Sequence, residues 1–200
     1  MDHLRYASHP EAEQQRVFLD IIWADPLIRA ALVAARGLEL PDWLIVSGAL
    51  YNTVWNHLTG RQPDHGINDI DLFYFDGSDL SYEAEDAVIR RAAPAFAHLP
   101  VEVEIRNQAR VHLWYPEKFG RQCPQYLSSA HSVEYFASKT HAVGVRLGND
   151  DRLELVAPFG VRPIFQFRMV PNRALDNRAT HEKKSARAKS CWPELTLEPW

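Results

Sequence analysis

Two aspartates, Asp69 and Asp71, stand two residues apart in Asn68-Asp-Ile-Asp-Leu-Phe-Tyr-Phe75. On a strand, side chains alternate, so both carboxylates leave one face while Ile70, Leu72 and Tyr74 leave the other. At about 3.3 Å per residue, their backbones lie roughly 7 Å apart. Like charges that close repel unless a cation sits between them. A hard divalent ion, Mg²⁺ or Mn²⁺, takes carboxylate oxygens and keeps positions open for phosphate. The pair therefore marks a candidate site for one or two metal ions and a nucleoside triphosphate (NTP). Phe73 shares the face, so it is not simply polar and wet. The competing reading is two solvated acids on an exposed strand.

Upstream, Trp43-Leu-Ile-Val46 is a short apolar run opened by Pro41, which reads as a buried strand. It ends in Val46-Ser-Gly-Ala49, and Ala49 to Leu58 reads as a helix with Leu50, Val54 and Leu58 on one face. A glycine at such a turn lets backbone N–H groups approach an anion, and a helix N-terminus favours negative charge. Ser47, Gly48 and Ala49 are thus a candidate phosphate cradle, with Asn52 one turn further on; an ordinary strand-to-helix turn is the alternative. Downstream, Val101 to Ile105 alternates, with Glu102 and Glu104 on one face. Arg106 continues that face and either pairs with a carboxylate or holds phosphate. His112 is read either as a general base or as a hydrogen-bonded, half-buried residue. There is no Ser/His/Asp ordering, zinc-ligand spacing or Walker-type loop.

These residues need a scaffold, and the flanking sequence supplies one. Apolar residues recur at helical spacing from Glu11 to Arg36; Pro26 breaks the run in two, with Asp25 capping the second half. Gly60, Pro63, Asp64 and Gly66 make a polar loop before the acidic strand, Ile70 to Phe75. Tyr82 to Ala97 reads as a helix, and Val111 to Tyr115 as a continued or re-formed strand. Tyr135 to Leu147 reads as helix then strand, Leu153 to Val156 as a short strand, and Thr180 to Ser190 as a final helix stopped by Trp192-Pro193. The order predicts an α+β fold, a mixed sheet with helices packed on it. It also predicts one domain over 1–200: N-terminal helices in 1–40, a core in 41–160 and a basic C-terminal segment in 161–200.

A chain of 200 residues, 46% hydrophobic and 24% charged, has the balance of a globular domain large enough to need no staples. Two distant cysteines, Cys123 and Cys191, point to free thiols in a reducing compartment, the cytoplasm. The first fifteen residues lack an apolar signal-peptide region, and no apolar run nears the roughly 20 residues that span a bilayer. The net charge of −4 is uneven: residues 162–189 hold eight Arg or Lys against two acids, a balance of +6, so the remainder carries −10. On the last helix Lys183, Lys184 and Arg187 form a three-cation patch, which suits a phosphate-bearing partner or simply a solvated face.

The succession of apolar strand, Gly-small residue, helix, loop and DxD resembles the nucleotidyltransferase superfamily, which includes polymerase beta-like and aminoglycoside-modifying enzymes. Gly48-Ala-Leu-Tyr-Asn-Thr-Val-Trp-Asn56, Asn68-Asp-Ile-Asp71, Arg106-Asn-Gln-Ala-Arg-Val-His-Leu-Trp-Tyr115, Ala157-Pro-Phe-Gly160 and the basic stretch Lys183 to Pro193 resemble an uncharacterised bacterial nucleotidyltransferase-like family. The likeness covers most of residues 41–195. It implies a metal-binding pair at Asp69 and Asp71, a phosphate-contacting turn at Gly48 and Ala49, and a third carboxylate on a neighbouring strand. Glu102 and Glu104 are the candidates for that carboxylate, and Glu104 is preferred because it directly precedes Ile105-Arg-Asn107. Many active members carry Gly or Ser where this chain has Ala49; Ser47 offers a substitute hydroxyl from the other side. The expected function is metal-dependent transfer of a nucleoside monophosphate from an NTP to an acceptor, whether small molecule, protein or RNA. The alternative is a non-catalytic nucleotide-binding or regulatory module on the same fold.

Overall fold

The structure, a computed structural model, describes residues 2–200. Helices α1 (Glu11–Ala24) and α2 (Pro26–Gly37) come first. The Asp25 carboxylate caps α2, accepting from the Ile28 N–H at 3.0 Å, with Pro26 in the first turn where its missing N–H costs nothing. Strand β1 (Leu44–Val46) runs into helix α3 (Gly48–Thr59), then β2 (Asp69–Tyr74), α4 (Tyr82–Phe96) and β3 (Glu102–Asn107) follow. After the short helices α5 (Val111–Phe119) and α6 (Ser129–Val133), strands β4 (Gly144–Leu147) and β5 (Leu153–Val156) complete the sheet. Helix α7 (Arg162–Phe165), strand β6 (Arg168–Met169), helix α8 (Arg178–Cys191) and strand β7 (Thr196–Leu197) close the chain.

The five-stranded sheet has the order β3-β2-β1-β4-β5. Only β2 and β3 run parallel, joined through α4; the other pairs are antiparallel. This is the mixed α+β sheet anticipated from the sequence. Its two faces differ. Ile45, Ile70, Leu72, Tyr74, Ile105 and Val145 point into the main core, against residues of α1 to α4. The opposite face carries Leu44, Val46 and Phe73, which meet only a small cluster around Val133 of α6.

Helix α3 is buried almost all round, not on one face alone. Its polar residues bond inward: Asn56 Nδ2 donates to the Pro63 and His65 carbonyls, and Asn56 Oδ1 accepts from Trp192 Nε1 at 3.1 Å. Trp192 lies against Trp55, and Val161, Phe165, Met169 and Leu195 share the main core with α1 and α2. The segment 161–200 is therefore woven into the same core as the N-terminal helices.

Residues 111–115 form a helix, α5, and not the strand expected from their composition. Asn107 ends β3: its side-chain oxygen accepts from the Ala109 and Asp76 N–H groups and its amide donates to the Asp76 carbonyl. Beyond it Val111 and Tyr115 are buried while Leu113 is exposed, a four-residue period that the strand reading overlooked. The segment 135–147 contributes a strand at its end, as expected, but the helix lies earlier, at Ser129–Val133.

Candidate active site

The register of the strands assembles the site. Val46 pairs with Asp71, and Asp71 with Glu104; one step away Asp69 pairs with Glu102. Register partners share a face, so Asp69, Asp71 and Glu104 emerge together on the sheet face away from α1 to α4. Glu104 lines the cleft beside Asp71, whereas Glu102 is exposed and lines no part of it. Helix α8 crosses this face and brings Lys184 and Arg187 to the same cleft.

The cleft has two lobes. A polar lobe of about 280 Å³ is lined by Gly48, Asn52, Asp69, Arg187 and Trp192. An aromatic lobe of about 300 Å³ is lined by Phe73, Trp114, Tyr115, Phe119, Tyr126 and Tyr135, among others. Asp71, Glu104 and Lys184 line both and form the waist between them. Along β2 the polar lobe takes Asp69 and Asp71, and the aromatic lobe takes Asp71 and Phe73.

Burial pushes the Asp71 carboxyl up to about 6; Lys184 opposes that rise, Asp69 and Glu104 reinforce it, and Arg106 opposes it. The Glu104 carboxylate has a cation of its own, Arg106 Nη2 at 3.5 Å, while Arg106 Nη1 donates to the Ile105 carbonyl. Of the two readings of Arg106, this geometry is the ion pair. Lys184 has no ion pair within 4.0 Å among the described residues and faces the waist. Lys183 is absent from the lining and Lys189 donates to the Pro193 and Leu195 carbonyls, so the expected three-cation patch presents two cations to the cleft.

The turn at the start of α3 lies next to Asp71. Ser47 adopts φ 59°, ψ −119°, a conformation that strains any residue but glycine. Its carbonyl accepts from the N–H groups of Leu50 and Tyr51, and its side chain makes no cap hydrogen bond to the helix. The N–H groups of Gly48 and Ala49 have no acceptor among the described residues and are the free donors of this helix end. The Ala49 side chain is 2% exposed and sits in the core, with its carbonyl accepting from Thr53. The hydroxyl that Ala49 lacks would point away from the cleft, so only the Ala49 backbone can serve there. Asn52 lines the polar lobe, but its amide nitrogen donates to the Gly66 carbonyl at 3.2 Å. Its buried side-chain oxygen has no partner, and an oxygen accepts, which suits a hydroxyl.

Arg110 and His112 stay outside the site. Arg110 makes a buried ion pair with Glu85, whose other oxygen accepts from the Asn107 N–H at 2.8 Å, fastening α4 to the end of β3. His112 lines neither lobe. Sequence reasoning missed Tyr51 and His141, whose rings stack at 4.9 Å, and the aromatic wall. A signal for the wall was present: six of the 23 residues from Trp114 to Phe136 are aromatic.

The carboxylates at the waist are hard oxygen donors, which fit Mg²⁺ or Mn²⁺. Among the described residues no three of His, Cys, Asp or Glu converge closely enough to hold an ion. Asp69, Asp71 and Glu104 share a face, and their side chains would have to draw together to close around a metal.

At the level of class, a mixed sheet whose parallel strands β2 and β3 pair carboxylates beside a strand–turn–helix is the arrangement of a nucleotidyltransferase-like α+β domain. The sequence model of a family described as nucleotidyltransferase matches residues 33–197, and the chain belongs to that family. A solved NMR structure described as revealing a CCA-adding enzyme head domain is similar, with TM-score 0.74 and 22% identity over 97% of this chain and 100% of that one. At that identity the likeness concerns the fold. No curated protein matches the chain. No helix among the described residues is long and apolar enough to cross a membrane.

Proposed function

We propose that the protein transfers a nucleoside monophosphate from an NTP to an acceptor hydroxyl, with the reaction centred on the waist of the cleft. The observation that carries this reading is the shared face of Asp69, Asp71 and Glu104 beside the free N–H groups of Gly48 and Ala49. The triphosphate tail would lie in the polar lobe, against those N–H groups and the cations of Lys184 and Arg187. The Asn52 side-chain oxygen would accept from a hydroxyl of the nucleotide. Asp69, Asp71 and Glu104 would hold Mg²⁺ or Mn²⁺, which supplies positive charge to the phosphate oxygens. The acceptor oxygen bonds to the α-phosphorus, and the bond from that phosphorus to the α,β-bridging oxygen breaks. Pyrophosphate leaves with the electron pair, and the hydroxyl proton passes to the Glu104 carboxylate. These residues act by positioning and charge, with no covalent enzyme intermediate. Free cysteines at Cys123 and Cys191 agree with a reducing, cytoplasmic setting.

A second reading, a nucleotide-binding module without catalysis, is favoured by the Glu104–Arg106 pair and by the lack, among the described residues, of an assembled three-carboxylate group. Thermal shift against the four NTPs, with and without Mg²⁺ or Mn²⁺, tests the first reading. Metal-dependent stabilisation that Asp71→Asn abolishes supports it, and pyrophosphate release on adding acceptors separates enzyme from binder. No stabilisation by any metal–NTP pair would remove both readings.

A further inference from the structure

The two lobes meet only at the reacting centre, and that constrains what each can hold. In a phosphoryl-type displacement the attacking and leaving oxygens lie roughly in line across the phosphorus. Asp71, Glu104 and Lys184 mark the phosphorus, and the polar lobe with its free N–H groups suits the departing pyrophosphate. The attacking hydroxyl must then come from the opposite side, where the aromatic lobe opens. Three elements place the two lobes on opposite sides of the waist. Along β2 the lining passes from Asp69 through Asp71 to Phe73, along β3 from Glu104 to Arg106, and along α8 from Arg187 through Lys184 to Thr180.

From this geometry we infer that the aromatic lobe is the acceptor site, and that the acceptor is a small molecule carrying its hydroxyl on or beside a planar ring. The inference rests on the nucleotidyl-transfer reading. The lobe's volume, about 300 Å³, is that of a small-ligand site. Ring-faced walls favour a flat π-system, which stacks on them, over a flexible polar chain. At this lobe Lys118 lies against the Trp114 and Phe119 rings and Arg106 pairs with Glu104; among the described residues that line it, Lys184 at the waist is the one Lys or Arg with neither contact, too little for the phosphates of a polymer. One buried group of the wall lacks a partner: His141, 2% exposed, whose Nε2 makes no hydrogen bond. A polar substituent of the ligand is the group that would satisfy it.

The test uses three probes on the full chain, read by ligand-observed NMR: inorganic tripolyphosphate for the polar lobe, tyrosol (an aromatic ring with hydroxyls) for the aromatic lobe, and adenosine. Tyrosol is expected to bind with tripolyphosphate already bound. Trp114→Ala and, independently, Tyr135→Ala are expected to weaken tyrosol about tenfold, the scale of one lost stacking contact. Tripolyphosphate affinity is expected to change less than about twofold. Melting temperature verifies that each variant is folded, and either variant alone suffices. Adenosine displacing tyrosol, with the same loss in both variants, would make the lobe the site of the donor's base and overturn the inference while leaving the transfer reading intact. Displacement by a short single-stranded RNA would make the acceptor a polymer end and overturn it too, as would failure of tyrosol to bind. Failure of tripolyphosphate to bind the wild-type chain would instead overturn the transfer reading.

Discussion

The two faces of strand β2 are built from the same six residues, yet they do different work. Ile70 and Leu72 are fully buried against the helices, and Tyr74 nearly so. Asp69, Asp71 and Phe73 alternate with them, on a face covered by the short helix α6, by α5 and by α8, which leave a cleft. Substitution on the first face should cost stability and leave chemistry alone until the fold fails. Substitution of the carboxylates on the second should leave or raise stability and remove ligand binding. The lesson is that the carboxylates sit where packing does not require anything of them.

The largest expected effect tests the packed face. Leu72→Ala removes a fully buried side chain from the main core and should cost about 2–5 kcal/mol, the usual range for a core leucine. For a chain of this length that corresponds to a fall in melting temperature of roughly 5–15 °C. A loss below about 1 kcal/mol would show that this face is not the tightly packed one.

Asp71→Asn tests the other face of the same strand, and pH supplies the sign. Burial raises the Asp71 carboxyl from 3.8 to about 6 in the folded, metal-free protein. The folded state therefore binds the proton more tightly than the unfolded chain. The contribution of this one group to stability is greatest below pH 4, falls as pH rises from about 4 to 6, and levels off above that. At about 1.4 kcal/mol per unit, the ionised carboxylate costs at most about 3 kcal/mol near neutrality, less whatever solvent screens. In the presence of a chelator, the melting temperature of Asp71→Asn relative to wild type should therefore rise across that window, and the variant should melt higher at pH 7.5. A variant that melts lower would make Asp71 a structural residue and dissolve the contrast between the faces.

How much of this was readable from the chain differs by element. The β2 alternation, the Asp25 cap and the Gly48 turn are local, and each follows from residues within a turn or two of one another. Residues 111–115 misled because Val, Leu, Trp and Tyr suit strands as well as helices. What decided the outcome was the Asn107 clamp ending β3, which needs Asp76 from a distant loop. The cleft itself is non-local. Lys184 is separated by more than a hundred residues from Asp71, and the aromatic lobe draws its walls from β2, α5 and the segment from Tyr126 to Ala137. Helix periodicity showed which cations share a face of α8, but the docking of that helix through Trp192 decides which of them reach the carboxylates. Ala49 illustrates the same limit: the sequence shows a missing hydroxyl, and only the fold shows that it would have pointed into the core.

A smaller effect concerns the strained turn. Alanine normally stabilises relative to glycine, by about 0.5–1 kcal/mol in regular structure. At Ser47, with φ 59° and ψ −119°, the order should invert. Ser47→Ala removes the hydroxyl and keeps the strain; Ser47→Gly removes the hydroxyl too but relaxes the backbone, worth about 1–3 kcal/mol. Chemical denaturation of the two variants should therefore find the glycine form more stable. If the alanine form is more stable, the turn is not held under strain.

The smallest stability effect carries the sharpest functional contrast. Gly48 has no positive φ, and a Cβ built on it meets only the Tyr51 hydroxyl, at 3.9 Å, an ordinary contact. Neither backbone conformation nor packing within the protein requires glycine there. Gly48→Ala should fold normally and melt at the same temperature or slightly higher, since alanine is the better helix residue. The added methyl would nevertheless stand beside the free N–H groups of Gly48 and Ala49, where an anion has to approach closely. Tripolyphosphate binding should weaken about tenfold, the equivalent of roughly one charge-assisted hydrogen bond. Calorimetric titration of wild type and variant, with melting curves alongside, reads both quantities. Unchanged affinity in a folded variant would mean that the helix end does not hold phosphate, and the polar lobe would then rest on Lys184 and Arg187 alone. Weaker binding with an unchanged melting temperature would separate function from stability at a single carbon, on the face of the sheet where the two are expected to part.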